Sequence, residues 1–207
     1  MELVLNTDFN LVQRACTGER GAFDQIVENN KKKVFYLAYD LTGSVQDAED
    51  LSQEVFLKAY RALARFKGEA TLSSWLYRIT LNAFLDRSRK LSFRKEKEQQ
   101  QIEEAEGTIA SSIKDAPSAM LATPENYAES KQIQHHIDTA LEQLTPKERA
   151  VFVMRHYKGM PGKQVGTLLN ISEGTVKSLL FRAIKKLQKI LSIYRATVDS
   201  RDKEVYQ

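Results

Sequence analysis

The 207-residue chain has 42% hydrophobic and 28% charged residues, a net charge of +4, 9 glycines, 4 prolines and a single cysteine. One cysteine excludes an intrachain disulfide framework and fits a reducing compartment, and no apolar run approaches the roughly 18 residues that would cross a bilayer. Few helix breakers beside many Ala, Leu, Glu, Lys, Arg and Gln predict an all-α protein, and the length suits two small helical domains, each burying its own core.

The N-terminus "MELVLNTDFN" lacks a basic start, so no signal peptide is expected and the expected location is cytoplasmic. Cys16 reads as a small buried apolar side chain rather than a redox group. Charge is segregated along the chain. Residues 1–95 hold 15 basic and 12 acidic residues, 96–130 hold 2 and 8, and 131–207 hold 14 and 7. Two basic bodies flanking an acidic strip, with a pI near 9.0, favour a polyanionic partner, although many proteins with this net charge never meet nucleic acid.

From Asp8, "DFNLVQRACTGERGAFDQIVENNKKKVFYLAYDLTG" shows helical periodicity broken at Gly18 to Gly21 and stopped at "LTGS", predicting two or three short helices. In "SVQDAEDLSQEVFLKAYRALARFKG", Ala48, Leu51, Val55, Ala59, Ala62 and Phe66 share one face of a helix predicted to end at Gly68. Asp50, Gln53, Glu54 and Leu57 group away from that face. Such a patch suits a basic protein partner, although read alone it is more readily solvated charge.

The next helix contains "WLYRITLNAFLDRSRK". Leu76, Ile79, Thr80 and Ala83 form one apolar face and Leu81 and Leu85 lie nearly opposite, predicting packing from two sides. Between them Trp75, Arg78, Asn82, Asp86 and Arg89 fall in one narrow stripe, with Tyr77 to one side. An aromatic ring, an amide and cations in a row can stack on unpaired bases, bond their edges and hold the backbone. Read alone, the stripe is equally a half-exposed Trp beside a solvated face.

Residues 96–130 are polar, acidic and aromatic-poor apart from Tyr127, and are expected to form a linker with room for helical pieces. A second helical unit is expected over 131–195, followed by a frayed tail over 196–207. Within that unit "KQVGTLLNISEGTVKSLLFRAIKKL" has helix-turn-helix grammar: a short helix to Leu169, the turn "NIS", and Ser172 as N-cap of a second helix with Glu173 at its positive end. Val176, Leu180, Ala183, Leu187 and Leu191 are predicted to face inward, and Ser178, Phe181, Arg182, Lys185 and Lys189 outward. Arg and Lys meet phosphates or a guanine edge, Ser either, and an exposed Phe a thymine methyl. The alternative is a solvated basic helix with Phe181 packed on a neighbour. "GMPGKQVG" lacks P-loop spacing, and no Cys pair or zinc-type His pair is present; "HYKGMPG" reads as a helix-ending turn, and the adjacent His135 and His136 as surface residues.

In order along the chain, "GAFDQIVE", "DAEDLSQEVFLKAYRALARFKGEATLSSWLYRITLNAFLDRSRK", "LTPKERAVFVMR" and "SEGTVKSLLFRAIKKL" resemble the bacterial extracytoplasmic-function (ECF) sigma factors, which direct RNA polymerase to promoters. The resemblance covers roughly Asp8 to Leu91 and Leu141 to Leu187. It implies a promoter-melting helical domain over 1–95, a flexible acidic linker, and a helix-turn-helix domain for the minus-35 element. It implies that Asp47, Asp50, Leu51, Gln53 and Glu54 contact core RNA polymerase. It further implies that Phe66, Trp75, Tyr77, Arg78 and Asn82 trap a base flipped from the single strand at the minus-10 element, with Arg87, Arg89 and Lys90 on phosphates. In the duplex-binding domain the implied contacts are Thr175, Lys177, Ser178, Phe181, Arg182 and Lys185.

Melting then needs no catalytic residue, metal, cofactor or small-molecule substrate, because binding energy for the exposed strand offsets unstacking. The resemblance also implies an inhibitory anti-sigma partner, often membrane-tethered, that occludes both domains. Two departures from the family pattern stand out: Leu179 where an Arg is frequent, expected to remove a phosphate or base contact, and "GKQVG" after Met160 and Pro161, expected to shift the first helix of the motif. Rival readings are a free-standing helix-turn-helix regulator with a sensing or dimerising first domain, and a metal-dependent DNA-processing enzyme using Asp47, Glu49 and Asp50.

Overall fold

The structure, a computed structural model, describes the backbone of residues 2–19, 21–102, 137 and 139–205, with side chains over 8–19, 21–94, 137 and 139–192. The described residues are helical and form two compact units divided between Asp115 and Ala116. Tyr127, His135, His136 and most of the expected linker lie outside the described residues.

Four helices build the first unit: α1 (Glu2–Cys16), α2 (Ala22–Thr42), α3 (Val45–Ala62) and α4 (Leu72–Ile102). The break expected at Gly18 to Gly21 separates α1 from α2, which is a single 21-residue helix rather than two short ones. Only Gly43 and Ser44 link α2 to α3, so the two fold back as a helical hairpin. Ser44 Oγ accepts from Asp47 N at 3.4 Å and caps α3. Ile26, Val34, Leu37 and Leu41 of α2 pack with Leu51, Val55 and Ala59 of α3 and Leu72, Leu76 and Leu81 of α4, all essentially inaccessible to solvent.

Helix α3 stops sooner than its apolar periodicity suggests. It ends at Ala62, a 3-10 turn covers Leu63–Arg65, and Phe66 follows in extended conformation. The turn brings Leu63 and Phe66 into the core. Gly68 then has φ +72°, and a Cβ there would lie 2.7 Å from the Phe9 ring, so the chain passes too close to α1 for a side chain. Asp8 Oδ2 of α1 accepts from Leu72 N at 3.2 Å, and Thr71 Oγ1 accepts from Ser74 N at 3.2 Å, so both meet free amides at the start of α4. The buried Asn30 is satisfied twice: its amide donates to Ile26 O at 2.9 Å and its carbonyl accepts from Ser73 Oγ at 3.2 Å, fixing α2 to α4.

Two helices run past the expected boundaries, and one expectation, the burial of Cys16, is corrected. Helix α4 runs to Ile102, past the expected boundary at 95, because "EKEQQQI" holds strong helix formers and no Gly or Pro. The last helix likewise continues through the expected tail to Val205, again without a breaker. Cys16 is exposed, not buried, because it closes α1 just before the Thr17–Gly18 turn.

In the second unit, residues 139–142 are helical and precede α5 (Pro146–Phe152), a π-helical turn (Val153–Tyr157), α6 (Gly162–Leu169) and α7 (Glu173–Val205). Thr145 and Glu148 form a reciprocal capping box around Pro146, which sets where α5 begins. Ala140, Leu141, Leu144, Ala183 and Leu187 form one apolar cluster, with Ile137, Phe152 and Ile190 packed on it. "HYKGMPG" is the helix-ending turn expected, and α6 starts at Gly162, directly after Pro161.

Candidate nucleic-acid and polymerase interfaces

On α4 the stripe between the two apolar faces is open to solvent. Leu76, Thr80, Leu81, Ala83 and Phe84 are buried, whereas Arg78, Asn82, Arg89 and Lys90 are exposed and Trp75, Tyr77 and Asp86 half-buried. Thr80 keeps its buried hydroxyl satisfied by donating to Leu76 O at 2.9 Å, so it costs the core nothing in unpaired polarity. Packing on two sides leaves a narrow polar strip led by an indole and an amide.

Two residues implied as direct contacts of this strip are placed otherwise. Phe66 is only 7% exposed and packs edge-on beneath Trp75, with ring centroids 5.5 Å apart at 62°. It supports the indole rather than offering a surface, because the 3-10 turn folds it inward. Arg87 NH2 donates to Asp47 Oδ1 of α3 at 2.7 Å and lies 3.9 Å from Asp50. Its guanidinium therefore faces the neighbouring helix. Arg89 lies 3.7 Å from Asp86 and stays largely exposed.

On α3, Asp50 and Gln53 are exposed, and Glu54 is half-exposed and pairs with Lys58 at 2.7 Å. Leu51 does not belong to this surface. It is fully buried on the α3 face that meets α2 and α4, one turn before Val55, and its role is in the core. Leu57 and Tyr60, both exposed, extend the α3 surface, with Phe23 edge-on to Tyr60 at 5.0 Å. A groove of about 400 Å³ runs between α2 and α3, lined by Val27, Lys32, Phe35, Tyr36, Gln53 and Phe56 among others. The sequence reading missed its aromatic wall; the signal was Phe35 and Tyr36 lying between the buried Val34 and Leu37 on an otherwise amphipathic helix.

In the second unit the helix-turn-helix is built as expected. Asn170, at φ +54°, ends α6. Ser172 Oγ accepts from Thr175 N at 3.1 Å and shares a 2.8 Å hydrogen bond with the Thr175 hydroxyl, so the Thr175 side chain is already engaged in the cap. A Cβ on Gly166 would meet Ile171 O at 2.7 Å, so the tightness of the turn requires glycine there. The inner face of α7 is Val176, Leu179, Ala183 and Leu187, with Leu180 half-buried and Leu191 exposed. The expected face thus holds at Val176, Ala183 and Leu187, while Leu179 takes the buried place expected of Leu180 and Leu191 lies beyond the core. Leu179 is a core residue, and what stands there in place of Arg adds apolar burial under the helix rather than leaving a hole in its outward face.

Lys177, Ser178, Phe181, Arg182, Lys185 and Lys189 all face outward. Phe181 is 60% exposed, is not packed on a neighbouring helix, and carries Lys185 Nζ 4.8 Å from its ring centroid. Lys177, Ser178, Phe181 and Arg182 line a shallow concavity of about 670 Å³. Beneath it lies Glu148 of α5. Burial pushes its carboxyl pKa up, but the hydrogen bond from Lys186, those of Thr145 and the Lys186 charge outweigh this and hold it below the ordinary glutamate value.

These features define a helix-turn-helix DNA-binding protein with a second, independent helical unit bearing an aromatic-cationic strip. Residues 26–94 match the family model for Sigma-70 region 2 and residues 135–187 that for Sigma-70, region 4. The chain is 31% identical to the ECF RNA polymerase sigma factor SigW of Bacillus subtilis, over 92% of this chain and 98% of that one. It is also 31% identical to the RNA polymerase sigma-H factor of Pseudomonas aeruginosa, over 91% and 96%. Among solved structures it resembles the sigma factor RpoE of Bartonella quintana, crystallised with the anti-sigma factor NepR, with a TM-score of 0.61, 22% identity, and coverage of 84% of this chain and 98% of that one. The chain belongs to the ECF sigma factors. It is a non-enzymatic initiation subunit that binds core RNA polymerase and confers promoter recognition, and the rival readings as a free-standing regulator or a DNA-processing enzyme are not favoured.

Proposed function

We propose that promoter reading is divided between two surfaces. On α4, Trp75, Tyr77, Arg78 and Asn82 hold a base of the minus-10 element displaced from the non-template strand, with Arg89 and Lys90 on the backbone and Phe66 bracing Trp75 from below. On α7, Lys177, Ser178, Phe181, Arg182 and Lys185 enter the major groove at the minus-35 element, with Thr175 at the helix start, where its cap with Ser172 holds the first turn. Asp50, Gln53 and Glu54, with Asp47 at their edge, form the polymerase-docking surface on α3. The domain division follows the same reading: a melting and polymerase-binding unit from the N-terminus to the end of α4, and a minus-35-binding unit from about residue 131.

The observation that carries this reading is the open strip on α4, buried on both flanks yet solvent-accessible along Trp75, Arg78 and Asn82. Trp75 is half-buried, which leaves part of the indole available as a stacking platform. The location of such a subunit is the cytoplasm, with the polymerase; no described helix is long and apolar enough to cross a membrane. An anti-sigma factor is a further partner, on the strength of the relative crystallised with one.

Reconstitution of the chain with core RNA polymerase tests the assignment. Promoter-dependent run-off RNA is expected from the wild type. Asn82→Ala should reduce permanganate reactivity of the melted region more than closed-complex binding. Unchanged melting in that variant would remove the strip from the minus-10 assignment.

A further inference from the structure

Glu148 of α5 reaches two cations of α7, and its carboxylate is only 4% exposed. It performs two tasks at once. Oε2 accepts from Thr145 N at 3.0 Å, closing the capping box of α5, and from Lys186 Nζ at 2.6 Å. Oε1 lies 3.8 Å from Nε of Arg182, one turn before Lys186 on α7. Lys186 and Arg182 both remain substantially exposed beyond these contacts.

A guanidinium whose Nε lies 3.8 Å from a buried carboxylate, an ion pair rather than a hydrogen bond, leaves its two terminal nitrogens as a planar fork for a guanine edge. A freely rotating Arg loses more entropy on forming the same pair and finds phosphates as readily as bases. The buried anion also subtracts one charge from a face that carries Lys177, itself paired with Glu173 at 3.3 Å, and Arg182, Lys185, Lys186 and Lys189. That subtraction weakens binding to any phosphate backbone, which is the sequence-independent part of the affinity.

We propose that Glu148 is a positioning residue for minus-35 recognition: from beneath α7 it fixes the stems of Arg182 and Lys186 and so raises selectivity for the cognate element over random duplex. This rests on the reading of Arg182 as a base contact given above. Glu148 touches no DNA itself.

Glu148→Gln keeps the side-chain length, and Gln also serves at this capping-box position, while the charge is removed. The full chain is assembled with core polymerase on a promoter selected from randomised DNA by the wild-type holoenzyme, and on versions with single base-pair changes across its minus-35 element. Arg182→Ala is run beside it, and thermal unfolding of each variant is recorded. Discrimination at the Arg182 position should fall at least about fivefold in Glu148→Gln, the lower end of what one bidentate base contact supplies, while affinity for random duplex holds or rises. If Arg182→Ala loses that discrimination and Glu148→Gln retains it, the positioning role is overturned and the Arg182 reading stands. If Arg182→Ala changes discrimination at no position, the reading itself fails, and the inference with it. An equal loss on every template, tracking a lower melting temperature, would reduce Glu148 to a fold-stabilising group. Should Glu148→Gln not fold, Glu148→Asp keeps the charge but withdraws it by one methylene, and the same ratio decides.

Discussion

Arg87 on α4 donates to Asp47 on α3 at 2.7 Å, with Asp50 at 3.9 Å, so one guanidinium joins the base of the polymerase-docking helix to the helix that carries the minus-10 strip. Both partners are about one-third exposed. The pair is therefore worth the modest amount of a partly solvated ion pair, added to the buried apolar contact that holds the two helices together. A double-mutant cycle of Arg87→Ala and Asp47→Ala, read by urea unfolding, should give a coupling of about 0.5–1 kcal/mol. Since Arg87 is engaged within the fold, Arg87→Ala should leave the salt slope for binding the single-stranded minus-10 element unchanged. A slope reduced by about one phosphate would mean that the cation leaves Asp47 when DNA arrives.

Phe66 and Trp75 touch edge to face but differ in burial, and their variants should separate stability from function. Phe66→Ala opens a cavity under α4 and should cost about 3–5 kcal/mol. Trp75→Ala, at a half-buried site, should cost clearly less yet remove most promoter melting, read by permanganate footprinting of the reconstituted holoenzyme. If the two substitutions cost equal stability and melting survives in Trp75→Ala, the indole is a core residue and nothing more.

The helices and most of both surfaces were legible in the sequence because they depend on local grammar. The α4 strip follows from periodicity alone, and Ser172 as N-cap follows from the chemistry of its hydroxyl. What could not be read was where tertiary packing overrides the wheel. Phe66 continues the apolar phase of α3 in sequence, but the chain leaves the helix four residues earlier, at Ala62, and tucks the ring under Trp75. Leu51 sits one residue from Asp50, and a one-residue step turns a helix by about 100°, enough to carry it from the docking surface into the core. The lost contact at Leu179 follows from the family pattern, in which Arg is frequent there, whereas the helix turns this position inward. The phosphate role of Arg87 likewise follows from the resemblance, and nothing local in the sequence announces Asp47, forty residues earlier, as its partner. The Glu148 link to Arg182 and Lys186 is non-local in the same way.

The turn of the helix-turn-helix should be intolerant of even one methyl group. Gly166 lies on α6 with Ile171 O 2.7 Å from where its Cβ would stand, and backbone cannot swing aside as a side chain can. Gly166→Ala should destabilise the second unit by about 1–3 kcal/mol despite the better helix propensity of alanine. Because Ile171 N also donates to Gly166 O at 2.9 Å, the strain should displace the turn that sets α7 against α6. Minus-35 affinity should fall with it, while binding to a minus-10 single strand is unaffected; urea unfolding and duplex binding of the same preparation check both. A neutral or stabilising Gly166→Ala would show that the turn relaxes without cost.

Acid sensitivity of the second unit should trace to Glu148. Its carboxyl titrates below the ordinary value in the folded chain, since the Lys186 and Thr145 bonds outweigh the cost of burial. The unfolded chain binds that proton first as pH falls, at about 4.3. The stabilisation is therefore complete above the unfolded value and is lost progressively as pH drops through the lower folded value. Glu148→Gln has no such proton to bind. The stability difference between wild type and this variant, from urea unfolding of the full chain, should be flat above about pH 5 and shrink steadily below about 4.3. Glu19 also titrates low, through its Arg14 partner, but that pair is solvent-exposed on the first unit and is present in both proteins, so it cancels in the difference. A gap that stays constant down to pH 3 would mean that the charge on Glu148 does not hold α5 to α7, and that Thr145 alone caps the helix.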